Sequence, residues 1–384
     1  MKINKLKYVI AASLPFILTG CWDNVEINER HVVLEVAIDK NNTPKENLLE
    51  NQERRYEVTY TIPDIAKLSG QDSLSEDVKT AIVTKSSTLA TSVDEVERRT
   101  QNTITFSQTK ALLLGEELLK DKALFKATVD GLIRNMQVGR GTTILAVQGK
   151  AGELTQTQNP QNPIIGLYVM KYFNNSERPT SYAKQQTLGT MIKEIQETGI
   201  TTIPIISNQE ENMIIQGAAL IKDYELVEWL SKEQVRGQLF VEGKIKEVPL
   251  VIQYKGENLT YHIDGEQSRI SFKNDNGAWH TQVQIQVRGN ITEFVSSKQE
   301  ELFNESSMKE IGHLIEQEIN RQRQESIAYS KEINIDLFNI GLEMYRKHPK
   351  QWEQYKDTWT TTGYINMPIE TTTTVTIHNT GMLE

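Results

Sequence analysis

The apolar positions of this chain change period several times, and each change predicts an element. Residues 32–39 (VVLEVAID) are almost continuously apolar and predict a buried strand, whereas 56–62 (YEVTYTI) alternate and predict a second. From 76 to 99, Val78, Ile82, Leu89, Val93 and Val96 fall on one helical stripe, with Ser75 placed to cap it and Glu76 and Asp77 suited to its first turn. A short strand over 111–114 follows. A helix is then expected over 118–136, through Leu124, Phe125, Val129, Leu132, Ile133 and Met136, and a strand over 142–147. These elements predict a mixed α/β module ending near Gly149-Lys150.

The pattern then loosens. Residues 156–163, rich in Gln, Asn and Pro, and residues 174–179 read as polar breaks. A helix over 188–198 and strands over 213–221 and 225–230 follow, the strands meeting at Lys222-Asp223-Tyr224. From about 247 the strand signal strengthens: 248–254, 259–263, 268–272 and 279–287 predict successive strands, with turns at Gly256, Gly265 and 274–277. Two helices come next. One spans 297–323, with Ile311, Leu314, Ile315 and Ile319 on one face; the other spans 334–347, with Ile335, Phe338, Leu342 and Tyr345, and Pro349 closes it. The threonines at 371–374 suit a strand better than a linker, and 375–377 returns as a final strand. The C-terminal part is therefore expected to be an antiparallel sheet packed by helices, an α+β arrangement.

One apolar run obeys neither period. Lys2, Lys5 and Lys7 precede an apolar stretch over 8–18, which ends in Leu18-Thr19-Gly20-Cys21. The stretch is interrupted by Pro15 and is too short to cross a bilayer, which takes about 20 apolar residues. A basic start, a short apolar core and small residues before a cleavage point make a bacterial export signal. The Leu-Thr-Gly-Cys ending makes it a lipoprotein signal. The Cys21 thiol then receives diacylglycerol through a thioether, and residues 1–20 are removed. Small residues at 19 and 20 let a peptidase reach the bond. Trp22 beside the lipid is either an interfacial anchor or the first residue of a tether.

This reading sets what the rest of the chain can do. Cys21 is the only cysteine, so its acylation leaves no thiol for a disulfide, a metal site or nucleophilic catalysis. Loss of residues 1–20 removes three lysines and no acid, taking the formal charge from −9 to −12. An acidic body gains nothing from an anionic membrane, so the lipid must hold it there. The same charge argues against nucleic-acid binding, which relies on Lys and Arg at phosphates. The mature length of 364 residues predicts two or three domains, divided near 21–150, 151–246 and 247–384.

Enzymatic signatures are missing. No Gly-x-Ser-x-Gly or Walker loop occurs, and Gly139-Arg140-Gly141 has Ile144 where a dinucleotide loop needs its third glycine. The six histidines form no zinc-binding pair, and His313 and His348 read as structural. Glu116-Glu117 and Glu210-Glu211 read as solvated surface. Asp336 is expected in the first turn of its helix, where its carboxylate meets the helix dipole. Gly341 on the same helix points to close packing against a neighbour. The expected metals, cofactors and catalytic residues are none.

An ordered set of short motifs carries a resemblance. Cys21-Trp22-Asp23 with Glu26-Ile27 looks like the start of the mature C-subunit lipoproteins of bacterial spore germinant receptors, the Ger(x)C type. Val36-Ala37-Ile38-Asp39 sits at that family's first strand, and Phe106-Ser107-Gln108 leads to Leu114-Gly115-Glu116-Glu117. Ile215-Gln216-Gly217-Ala218-Ala219 with Lys222-Asp223-Tyr224-Glu225-Leu226-Val227 resembles its central hairpin; Trp229 stands where a glycine is expected. Ile335-Asp336-Leu337-Phe338 with Gly341, Pro349 and Trp352 is similar to its C-terminal helix signature, and Thr380-Gly381 falls at the end of its last strand. The resemblance implies three successive domains, each a β-sheet flanked by helices. It implies a non-catalytic subunit held by Cys21 to the outer face of the spore inner membrane. Its implied partners are two integral membrane subunits, A and B, in a complex that triggers germination on sensing nutrients. The competing reading from another class is a lipid-anchored solute-binding protein or wall hydrolase. The first should show two doubly wound lobes, which the strand-rich stretch over 248–287 opposes.

Overall fold

The computed structural model describes residues 30–42, 53–64, 67, 78–134, 138–157, 159, 162–175, 181–210, 212–294 and 304–378. Cys21, Trp22, Asp23, Glu26, Ile27, Ser75, Glu76, Asp77, Met136, Glu211, Thr380 and Gly381 lie outside the described residues.

Two short strands, β1 (Arg30–Val32) and β5 (Thr103–Thr105), pair in parallel as a small sheet. The main sheet has eight strands: β2 (Glu35–Lys40), β3 (Tyr56–Pro63), β4 (Lys79–Ser86), β6 (Ala111–Gly115), β7 (Thr143–Val147), β8 (Ile200–Gln209), β9 (Asn212–Lys222) and β10 (Glu225–Leu230). Their order is β10-β9-β8-β7-β6-β2-β3-β4. Strands β2, β6 and β7 run parallel in its middle, buried on both faces, which explains their continuous apolar runs. One face packs Leu89, Leu118, Phe125 and Met191 from α1 (Leu89–Glu97), α2 (Glu116–Lys120), α3 (Lys122–Arg134) and α6 (Leu188–Thr198). The other packs Ala151, Leu154, Ile165 and Val169 from α4 (Ala151–Gln156) and α5 (Ile165–Asn174). The sheet crosses the division expected at 150: β7 meets β8 at the register pair Ala146↔Ile205.

The second large unit follows α7 (Lys232–Glu242). It is a four-stranded sheet ordered β11 (Val248–Tyr254), β12 (Glu257–Asp275), β13 (Ala278–Phe294) and β14 (Ile369–Ile377). Its apolar face is covered by α7 and the long α8 (Glu305–Glu332), through Leu239, Phe240, Ile311, Ile315 and Ile319. Between α8 and β14 lie α9 (Ile340–Lys347), α10 (Pro349–Trp352), a π-helical turn (Trp359–Gly363) and α11 (Tyr364–Asn366). The chain is thus a mixed α/β protein with three sheets flanked by helices.

Several expected elements differ. The single helix over 76–99 is a strand followed by a shorter helix. Thr80, Ile82, Val83 and Thr84 are β-branched and pair with β3, and the helix starts only at Leu89, after Thr88 forms a capping box with Thr91. The helix over 118–136 breaks at Asp121, whose carboxylate accepts from the Leu124 N–H at 3.0 Å and starts α3 afresh. Strands 259–263 and 268–272 are one strand, with Gly265 at a bulge instead of a turn; there a Cβ would lie 2.3 Å from Arg288 Nε. Strand β14 runs parallel to β13, so the C-terminal sheet is mixed, not wholly antiparallel. The helix expected over 297–323 spans Glu305–Glu332, capped by Asn304, and the one expected over 334–347 begins only at Ile340. Pro349 ends that helix by occupying the first position of α10.

Candidate functional site

The C-terminal signature residues converge on one buried carboxylate. Asp336 lies four residues before α9, not in its first turn. Its Oδ1 accepts from the Ile340 N–H at 2.9 Å, and its Oδ2 accepts from the Gly341 N–H at 2.8 Å and from Trp359 Nε1–H at 3.1 Å. Burial pushes its pKa up, and these three donors pull it back. The expected helix-dipole role is thus performed from outside the helix. Gly341 is required by close approach: a Cβ there would sit 2.5 Å from Trp359 Nε1. Trp359 opens the π-helical turn and meets Trp352, Tyr364 and Tyr355 at ring-centroid distances of 5.3, 5.7 and 6.5 Å.

This aromatic cluster forms one wall of a cleft of about 540 Å³. The opposite wall comes from the eight-stranded unit: Glu197 and Thr198 at the end of α6, Ile200, and Lys222 and Asp223 in the β9–β10 turn. Asp223 and Tyr224 both have positive φ, 51° and 66°, the geometry of a tight hairpin turn. Arg346 of α9 reaches Glu197 across the seam at 3.4 Å. Deeper in the seam lies an ionic cluster that the sequence reading missed. Lys184 sits 3.4 Å from Glu194 and 3.2 Å from Glu242, and Glu242 also meets Lys244 at 2.5 Å. Burial opposes the charges on Lys184 and Glu242. The Glu242 and Glu194 carboxylates nevertheless hold the Lys184 pKa above its ordinary value, and Lys184 and Lys244 hold Glu242 below its own. The cluster joins α6 and α7, so nothing in either helix's own periodicity signals it.

The N-terminal signatures have a parallel explanation. Asp39 accepts from the Ala151 and Gly152 N–H groups, both at 2.8 Å, at the start of α4. Glu35 accepts from the Gly166 N–H of α5 at 2.6 Å. Burial raises both carboxyl pKa values. Gly115 must lack a Cβ, which would fall 1.9 Å from Asp39 Oδ1. Glu116 is more than solvated surface: it accepts from the Gly149 N–H at 2.9 Å and pairs with Lys120 at 2.7 Å. Glu117 and Glu210 are exposed. Gly139-Arg140-Gly141 is a turn closed by Thr142 N–H to Gly139 O at 2.9 Å. His348 packs between the Phe272 and Trp279 rings, and His313 is exposed beside Gln317. Among the described residues, no cluster of three or more His, Cys, Asp or Glu side chains is arranged to hold a metal, and no helix is long and apolar enough to cross a membrane.

Residues 23–208 match the family described as "Spore germination protein N-terminal domain", and residues 216–381 match "Spore germination B3/ GerAC like, C-terminal". The chain belongs to the GerAC-like spore germination family. Family members from Bacillus subtilis (strain 168) align over nearly their whole length. Spore germination protein B3 is 21% identical, with 92% of each chain covered; spore germination protein A3 is 20% identical, covering 99% of this chain and 98% of that one. The family fold is also seen in the crystal structure of the GerBC protein, similar at a TM-score of 0.60 and 18% identity over 90% of this chain and 97% of that one. Family membership supports a role in spore germination. The two matched segments meet in the β8–β9 hairpin; within the signatures, Asp39 and Asp336 cap helices, and Gly115 and Gly341 admit close approach.

Proposed function

We propose that this protein is the lipid-anchored, non-catalytic C subunit of a nutrient germinant receptor. It sits on the outer face of the spore inner membrane and assembles with integral membrane A and B subunits. The observation that carries the reading is the position of Cys21: the family match starts at residue 23, two residues after the cysteine that ends the Leu-Thr-Gly-Cys export signal. The first described strand begins at Arg30, so nine residue steps separate lipid from body, at most about 30 Å fully extended. Two acyl chains make a lasting tether where one is marginal. Confinement at that distance raises the effective concentration of membrane-bound partners. The buried carboxylates Glu35, Asp39 and Asp336 each accept helix N–H groups, which favours structural over catalytic work.

Mass spectrometry of membrane-extracted protein tests the anchor. A diacylated N-terminal peptide beginning at Cys21 is expected, and an intact Met1 end in the membrane pool would refute it. Cys21→Ala should leave the body folded and weaken the nutrient response of spores, with partial recovery on overproduction. An undiminished response at normal abundance would show that protein contacts alone suffice.

A further inference from the structure

The cleft beside Trp359 does not end at the seam. A second cleft of about 520 Å³ continues it between α6 and α9, the two sharing Glu197, Asn339, Leu342 and Arg346. The result is one groove with two chemically different ends. Trp352, Trp359 and the half-exposed Tyr345 line the first end. The second is lined by six cationic side chains against four acids. Lys184, Lys244, Arg346 and Lys347 are paired with those acids, which are Glu194, Glu242, Glu197 and Glu343. Lys193 and Arg269 are exposed and have no ion pair among the described residues. The basic end therefore carries two uncompensated positive charges on a chain whose formal charge is −9.

We infer that this groove docks an extended acidic segment of a partner protein, with carboxylates at Lys193 and Arg269 and an aromatic or aliphatic side chain against Trp352 and Trp359. Charge complementarity selects the occupant. An acidic segment is repelled by most of this acidic surface and attracted here, which fixes where and in which direction it lies. The aromatic end favours a peptide over an acyl chain. Lys222, Asp223 and Lys356 line it beside the rings, and a peptide offers polar groups to such charges where a hydrocarbon offers none. Aromatic and Arg side chains flanked by charge are also the usual anchors of protein interfaces. The inference rests on the receptor reading only in taking the partner to be a protein of the same membrane assembly.

The test uses the full chain in spore membranes, with photoreactive p-benzoylphenylalanine at Tyr345 and, as control, at the exposed Glu153 of α4, across the eight-stranded sheet from α6. Cross-linking from Tyr345 should yield a protein adduct whose sequenced peptide has several acids next to an aromatic or aliphatic residue. Glu153 should yield no such adduct. Lys193→Glu combined with Arg269→Glu should lower the adduct at least tenfold, with the chain's abundance and melting temperature unchanged, because neither side chain is paired. No protein adduct, a lipid adduct, a peptide without acids, or a yield indifferent to the charge reversals would each overturn the inference. An acidic peptide from a protein that is not a membrane subunit would uphold the groove and count against the receptor assembly.

Discussion

Gly341→Ala tests whether the Trp359 indole owns the space above α9. In an open helix, glycine to alanine gains about 0.5–1 kcal/mol from backbone entropy. Here the new Cβ would lie 2.5 Å from Trp359 Nε1, 2.8 Å from its Cε2 and 3.0 Å from Trp352 Cη2. The indole cannot simply swing aside, because it is 6% exposed, packs on three other rings and donates to Asp336 at 3.1 Å. Overpacking of this kind costs about 1–3 kcal/mol, and losing the bond to a buried carboxylate adds about 1–3 kcal/mol. Less the propensity gain, a net destabilisation of about 1–5 kcal/mol is expected. Gly312→Ala in α8 is the internal control: no atom lies within 4 Å of its Cβ, so it should stabilise by about 0.5–1 kcal/mol. Urea denaturation followed by tryptophan fluorescence reads both variants. A Gly341→Ala protein as stable as the parent would refute the packing argument. So would equal effects of the two substitutions, since they share the same change in helix propensity.

Two further substitutions probe buried charge. Burial pushes the Glu266 carboxyl from 4.5 up to about 8, against an N–H bond from Ile245 and the nearby Arg323. Because the folded value lies above the unfolded one, the folded state holds a proton that the unfolded chain has released. Stability should therefore fall as pH rises from about 4.5 to 8, by an amount on the order of a few kcal/mol. Glu266→Gln should flatten that slope in urea titrations between those limits, and an unchanged slope would assign the dependence to other groups. Lys184→Met removes one of two cations from the largely buried Glu242 carboxylate and should cost about 3–5 kcal/mol, with Lys184→Met plus Glu242→Gln less damaging than the single change. Thermal melts of the two variants decide it, and a harmless single change would mean that Lys244 alone satisfies Glu242.

Local chemistry was enough for much of this chain. The nearly continuous apolar run at 32–39 announced a buried strand, because a strand covered on both faces has no polar side to show, and 111–114 and 142–147 were legible as strands. The Leu-Thr-Gly-Cys ending, the single cysteine and the acidic balance narrowed the chemistry without any coordinates. Gly341 was legible as a packing residue, because a glycine inside a helix is costly unless something needs its room.

Tertiary pairing decided the rest. Residues 79–86 carry a stripe that fits a helix, yet β3 offers a full ladder of hydrogen bonds to β-branched side chains, and that partner lies sixteen or more residues away. Gly265 looked like a turn because sequence cannot distinguish a reversal from a bulge; only the register against β13 does. Nothing in the sequence assigned a capping role to Asp39 or Glu35, and Asp336 was expected inside the first turn of its helix. Their partners are N–H groups of helices that follow, 112 and 131 residues later for Asp39 and Glu35, and only four residues later for Asp336, where the turn between them is irregular. The groove between α6 and α9 is the extreme case. Its cations come from four separate stretches of chain, so its charge and its aromatic wall exist only once the two large sheets have been packed side by side.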